Sequence, residues 1–321
     1  MKKIDRAPVK QSRETTEEGI STRRNFLAGA LVAAGILLKP TKTATQNSAE
    51  PVLQKKIAKT PPQEELVLEK IPERSWRLEH DEGVIRVWHP EHTGELDSIV
   101  VYAPGDSTTP DMLWNNYDIK DQFRESRKKA LFVIPEAEWQ AYRYYAIPGD
   151  HPNNHIKWKN NLKGLIQFVK DETGVDAKRQ ITLIGQSAGY RSVANWLNCD
   201  ISRDVKRIIM LDSLFDYYKR YGRFYKWLEK EGNRIVIISA KGEDGKMTTK
   251  KESSLFVSHY KEKDKEIFGQ VPESSDGRLL ELLKNPKKVV YIESQYEHSP
   301  IISSGKVIPL ALQLTNAEQV K

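Results

Sequence analysis

The sequence predicts an α/β fold, a mostly parallel central sheet with helices on both faces, in three layers. Three observations carry this. Short apolar runs recur along the chain and read as buried strands. Segments of helical periodicity separate them, and strands that alternate with helices pair in parallel through crossovers. One of these units, Ile181 to Asn195, passes from an apolar run through Gly185-Gln186-Ser187-Ala188-Gly189 into a helix. A serine between glycines on a strand-to-helix turn is the G-x-S-x-G arrangement in the context that gives it chemical meaning.

Composition narrows the class. The 321 residues are 38% hydrophobic and 30% charged, which is the balance of a globular protein with ample core. The formal charge of +7 reads as a solvated basic surface. No compact Lys/Arg run lies beside aromatic repeats, so nucleic-acid binding is not expected. Cys199 is the only cysteine, which excludes an intramolecular disulfide and a Cys-based metal site. It is expected to be a buried residue of the helix after the turn.

The N-terminus has its own organisation. Residues 1–40 carry Arg23-Arg24-Asn25-Phe26-Leu27 and then an uncharged, mostly apolar run to Leu38. This resembles a twin-arginine (Tat) signal and implies the Tat machinery as a partner and a periplasmic or secreted location. The run is too short for an ordinary spanning helix. No A-x-A site follows Leu38, so an uncleaved N-terminal anchor stays open, and the membrane is expected to be touched only there. Residues 41–73, with Lys, Thr, Pro, Gln and Glu, read as a disordered linker. The folded domain is expected over 74–321.

Within that domain, Trp76–Glu79 and Val84–Trp88 alternate around Asp81-Glu82-Gly83 and predict a hairpin. Asp97–Tyr102 is the next strand, ending in Ala103-Pro104-Gly105-Asp106. Asn116–Lys129 predicts a helix and Ala130–Ile134 a strand stopped by Pro135. Glu136–Asn154 is a long loop rich in aromatics, either a substrate wall or a packed surface loop. Ile156–Thr173 predicts the helix before the central strand. Val205–Leu211 is a strand ending at Asp212, and Tyr217–Lys230 a helix. Arg234–Ala240 is a strand leading to Gly242-Glu243-Asp244-Gly245. Lys250–Phe268 predicts a helix, Val289–Glu293 the last strand, and Ser304–Leu314 the closing helix.

Ligands in such sheets bind beyond the carboxyl ends of the strands. Ser187, Asp212, Asp244 and His298 all fall at such positions. Serine needs a base to take its proton, and histidine titrates near neutrality. His298 is the only histidine in a loop after the final strand. The imidazole needs a carboxylate to fix its tautomer. Asp212 and Asp244 compete for that role, with Glu243 as a further acid. Asp150, His151 and His155 match no strong ligand spacing and read as structural.

The order serine, acid, histidine resembles that of the α/β-hydrolases. Over Arg74 to Leu314 the chain is similar to the three-layer α/β-hydrolase fold. More narrowly, L-I-G-Q-S-A-G-Y with L-D-S-L-F resembles bacterial proteins with a G-H-S-G-G-Y elbow and an L-D-A-L-Y segment. That resemblance favours Asp212 as the acid. It also implies an oxyanion hole from the Ala188 N–H and an N–H of Gly105 or Asp106, where relatives often carry His-Gly. The expected activity is hydrolysis of a carboxylic ester on a small-molecule or polymer-borne acyl substrate, with no metal or organic cofactor. An amidase or peptidase, an acyltransferase, and a non-catalytic binding module on the same scaffold are the competing expectations.

Overall fold

The computed structural model describes residues 70–80, 83–93, 95–105, 108–136, 161–178, 180–214, 218–241 and 249–315. The expected signal segment, nearly all of the expected linker, the aromatic loop beyond Glu136, and Asp150, His151 and His155 lie outside the described residues.

The first elements are β1 (Lys70–Ile71), β2 (Arg74–His80), β3 (Gly83–His89), β4 (His92–Thr93) and β5 (Ser98–Ala103). Then come α1 (Pro110–Asn116), α2 (Ile119–Glu125), β6 (Ala130–Pro135) and α3 (Leu162–Thr173). β7 (Ile181–Gln186) runs into a single 3-10 turn over Ser187–Gly189 and α4 (Tyr190–Trp196). They are followed by β8 (Val205–Leu211), α5 (Tyr218–Leu228), β9 (Arg234–Ser239), α6 (Thr249–Ser258) and β10 (Lys265–Phe268). α7 (Gly277–Lys284), β11 (Val289–Glu293), α8 (Pro300–Ser303) and α9 (Val307–Leu314) are the last described elements.

Among the described residues, nine strands form one sheet in the order β10-β11-β9-β8-β7-β5-β6-β3-β2. From β10 to β6 every pair is parallel, and β3 and β2 add antiparallel strands at one edge. The strands are apolar on both faces because helices cover both, and the period of two divides their residues between two cores. In β5, Ile99, Val101 and Ala103 join one core while Val100 and Tyr102 join the other. The first core holds side chains of α3, α4, α5 and α6; the second holds those of α1, α2, α7, α8 and α9. These are the three layers expected. With a serine elbow between β7 and α4, this is the α/β-hydrolase fold.

The closing helix starts at Val307 rather than at Ser304, and two further segments differ more from expectation. The segment 116–129 is not one helix: Asp118, at φ 48°, separates the end of α1 at Asn116 from α2 over Ile119–Glu125. α1 forms upstream, where the Thr109 side chain accepts the Met112 N–H and Pro110 opens the first turn. The expected helix Lys250–Phe268 ends at Ser258, and Lys265–Phe268 is an edge strand paired in parallel to β11. Four residues are too few to declare a period, so only the neighbour's edge determines their conformation.

One buried charge has a consequence for stability. Lys128 is buried, and its Nζ donates to Thr315 Oγ1 at 3.0 Å. Loss of hydration, and secondarily the nearby Arg207, pull its pKa down to about 7. An unfolded lysine titrates near 10.4, so between about pH 7 and 10 the unfolded chain binds more protons than the folded one. Stability is therefore expected to rise with pH across that window. Denaturant titrations of wild type and Lys128→Met check this, because the variant should lose that part of the slope.

Candidate active site

The sheet reverses its direction of growth at β5: the chain passes from β5 to β6 on one side, then crosses back to β7 on the other. Loops leaving β5 and β7 therefore diverge and open a crevice at their carboxyl ends. Ser187 and Gly105 sit on its two sides, so close that a Cβ on Gly105 would lie 2.8 Å from the Ser187 Cβ.

Ser187 is half-buried and its φ is 49°, in the left-handed region that costs a side-chain-bearing residue about 1 kcal/mol or more. The turn is enforced by its glycines. A Cβ on Gly189 would stand 2.2 Å from the Ala103 carbonyl oxygen, which is backbone and cannot rotate away. A Cβ on Gly185 would come within 3.1–3.2 Å of Val193, Met210 and the Tyr190 nitrogen. Gly189→Ala is thus expected to destabilise by about 3 kcal/mol, read as a lower midpoint in urea. The Ala188 N–H lies in the first turn of the 3-10 segment, where helical geometry offers it no intrahelical acceptor.

Asp212 follows β8 and also has a positive φ, 46°. It is buried, and both of its oxygens are engaged. Oδ1 accepts the Ala240 N–H at 2.9 Å and the Thr249 hydroxyl. Oδ2 meets His298 Nδ1 at 2.5 Å. The loop carrying His298 leaves β11 and is held over the end of β9, which lies between β11 and β8. Ser294 N–H donates to Ser239 O at 2.9 Å, and Lys241 N–H to Tyr296 O at 2.7 Å. The His298 side chain is 44% exposed against 7% for Asp212. An ionised carboxylate only accepts, so the proton of this contact belongs to Nδ1, which leaves the Nε2 lone pair available as a base.

The structure therefore brings His298 together with Asp212. The alternative acids, Asp244 and Glu243, lie outside the described residues, as does Asp106. Gly105 is described, and its N–H donates to Gln186 Oε1 at 3.0 Å rather than facing open space. Cys199 is not in the helix: α4 ends at Trp196, and Cys199 is a half-buried residue two positions beyond the last turn's cap, its thiol pKa raised by burial.

Three contributors were not singled out from sequence. Thr249 and Gln186 are ordinary residues until the fold joins them to Asp212 and Gly105. Ser213 lies within the L-D-S motif; its hydroxyl donates to Gly185 O and stands 2.9 Å from Leu211 O. It thus ties the turn bearing Asp212 to the strand bearing Ser187. Removing the Thr249 hydroxyl leaves Oδ1 a single neutral donor. Thr249→Val is expected to lower kcat about tenfold, the worth of one hydrogen bond to a charged group, in steady-state ester kinetics.

Among the described residues, no group of three or more His, Cys, Asp or Glu is arranged to hold a metal ion. A cavity of about 300 Å³ lies at the opposite end of the sheet, lined by Ile99, Leu131 and Ile181 together with α3, and takes no part in this geometry.

No family model matches the chain, and no curated protein matches it in sequence. Solved structures similar to it include a fluorophosphonate-binding serine hydrolase, FphF, of Staphylococcus aureus, at 11% identity and TM-score 0.49, covering 76% of this chain and 98% of that one. An S-formylglutathione hydrolase from Agrobacterium tumefaciens is similar at 11% identity and TM-score 0.48, over 79% and 99%. The carboxylesterase EstE1, cloned from a metagenomic library, is similar at 10% identity and TM-score 0.46, over 79% and 92%. The assignment of the fold rests on the strand order and the elbow described above.

Proposed function

We propose that the protein is an exported serine hydrolase that cleaves a carboxylic ester through an acyl-enzyme. Ser187 attacks the acyl carbonyl carbon, and His298 takes the serine proton at Nε2. The tetrahedral intermediate collapses as His298 returns that proton to the leaving alcohol, giving the acyl-serine. Water, deprotonated by the same imidazole, attacks the ester, and the acid departs as Ser187 regains its proton. Asp212 fixes the tautomer and stabilises the imidazolium. The Ala188 N–H, at the start of the turn, faces the developing oxyanion; one such donor is worth about 3 kcal/mol in the transition state.

The observation that carries this reading is the 2.5 Å contact between Asp212 Oδ2 and His298 Nδ1, from residues 86 apart in sequence, on a sheet whose elbow holds Ser187 in a left-handed conformation. A solvated loop histidine has no need of a buried carboxylate. Export rests on the twin-arginine pattern at Arg23-Arg24. The test is hydrolysis of p-nitrophenyl acetate and butyrate by wild type beside His298→Ala. Turnover that disappears in the variant is the expected result. An inert wild type would favour a non-catalytic binding module.

A further inference from the structure

The residue between Gly185 and Ser187 is buried beside the proposed nucleophile, and its carboxamide does not face the crevice. Gln186 is 5% exposed. Its Oε1 accepts the Gly105 N–H at 3.0 Å and stands 3.4 Å from the Tyr102 hydroxyl, which donates to it. Both donors belong to the end of β5 and the loop that follows. The same stretch is pressed on the elbow from the other side: Gly189 has no room for a Cβ against Ala103 O and Pro104 O. Gly105 likewise has none against Ser187 Cβ and the Gln186 amide. Steric contact of this kind gives no directional restraint. The carboxamide supplies that restraint with one acceptor atom and two donors.

Resting on the serine-hydrolase reading, we infer that Gln186 is a positioning residue, which pins Gly105 at the end of β5 to the elbow and so fixes this wall of the crevice relative to Ser187 and the Ala188 N–H. The chemistry requires such a device here. β5 stays paired with β7 as far as Ala103 and Gly185, and beyond that point the two segments leave for opposite faces of the sheet. Oxyanion donors act by being placed before charge develops, and misplacement by about 1 Å costs on the order of a hundredfold in rate. The Gly105 N–H is thereby spent on structure and is not an oxyanion donor.

The test combines kinetics with site-resolved amide hydrogen exchange on the full chain. Gln186→Met keeps size and removes the acceptor; Gln186→Glu keeps an acceptor oxygen at the same reach. The expected result is a protected Gly105 amide in wild type, with protection lost in Gln186→Met and regained in Gln186→Glu. In step with this, kcat for p-nitrophenyl butyrate should fall ten- to a hundredfold in Gln186→Met with KM little changed, and recover in large part in Gln186→Glu. A kcat that is unchanged or raised in Gln186→Met overturns the inference, the latter because the carboxamide would then be withholding a donor. An unprotected Gly105 amide in wild type overturns it as well, and that readout needs neither a folded variant nor turnover. An inert wild type with a protected Gly105 amide would instead defeat the hydrolase reading and leave the anchoring contact standing.

Discussion

Ser187→Ala is expected to lower ester hydrolysis by about five to six orders of magnitude while leaving the fold intact. The magnitude follows from losing the nucleophile altogether: only binding and electrostatic stabilisation of attack by water would remain. The fold should hold because the hydroxyl is not what makes the turn. Gly189, where a Cβ would meet the Ala103 carbonyl, makes it, together with Gly185, where a Cβ would be tightly crowded. Alanine keeps a Cβ at φ 49°, so the strain of that position is neither relieved nor increased. Initial rates on p-nitrophenyl butyrate, with thermal unfolding as the control for folding, check both halves. An alanine variant that retains a hundredth of the activity would show that Ser187 is not the attacking group.

Asp212→Asn is expected to reduce kcat by about ten-thousand-fold. Asparagine is isosteric, so the Ala240 N–H and the Thr249 hydroxyl can still find an acceptor at Oδ1. The loss falls at the other end of the group. Where Oδ2 accepted from His298 Nδ1, an amide NH2 would donate. The imidazole would then place its proton on Nε2, where a base is needed, and its cation would lose its counter-charge. KM should change little, because Asp212 is buried behind His298 and does not face the crevice. Asp244→Asn, made in parallel, is expected to stay near wild type, since the carboxylate that meets His298 is the one after β8. Steady-state kinetics of the two variants decide between the acids, and the reverse pattern would move the role to Asp244.

Much of this was legible in the sequence, for definite reasons. Strands buried on both faces appear as unbroken apolar runs, and Ile181–Ile184, Val205–Leu211 and Val289–Glu293 announce themselves this way. The elbow is legible because its glycines answer a local steric demand. His298 is legible because a parallel sheet sends its functional residues to the loops after strands. What was not legible depends on long-range contact. Asp212 and Asp244 both follow a strand, and which one meets His298 depends on how the loop after β11 crosses β9. The break at Asp118 is a left-handed residue with no glycine to mark it, and β10 is a strand only because β11 offers an edge. Thr249 and Gln186 lie 37 and 81 residues from the groups they bind, a separation that no local pattern encodes.

The most direct measurement is intact-mass and peptide mapping of the full chain after exposure to a fluorophosphonate probe. The expected result is one adduct on Ser187, formed rapidly by wild type and far more slowly by His298→Ala and Asp212→Asn. No adduct, or an adduct that forms at the same rate without His298, would contradict the claim that the Asp212–His298 pair activates Ser187.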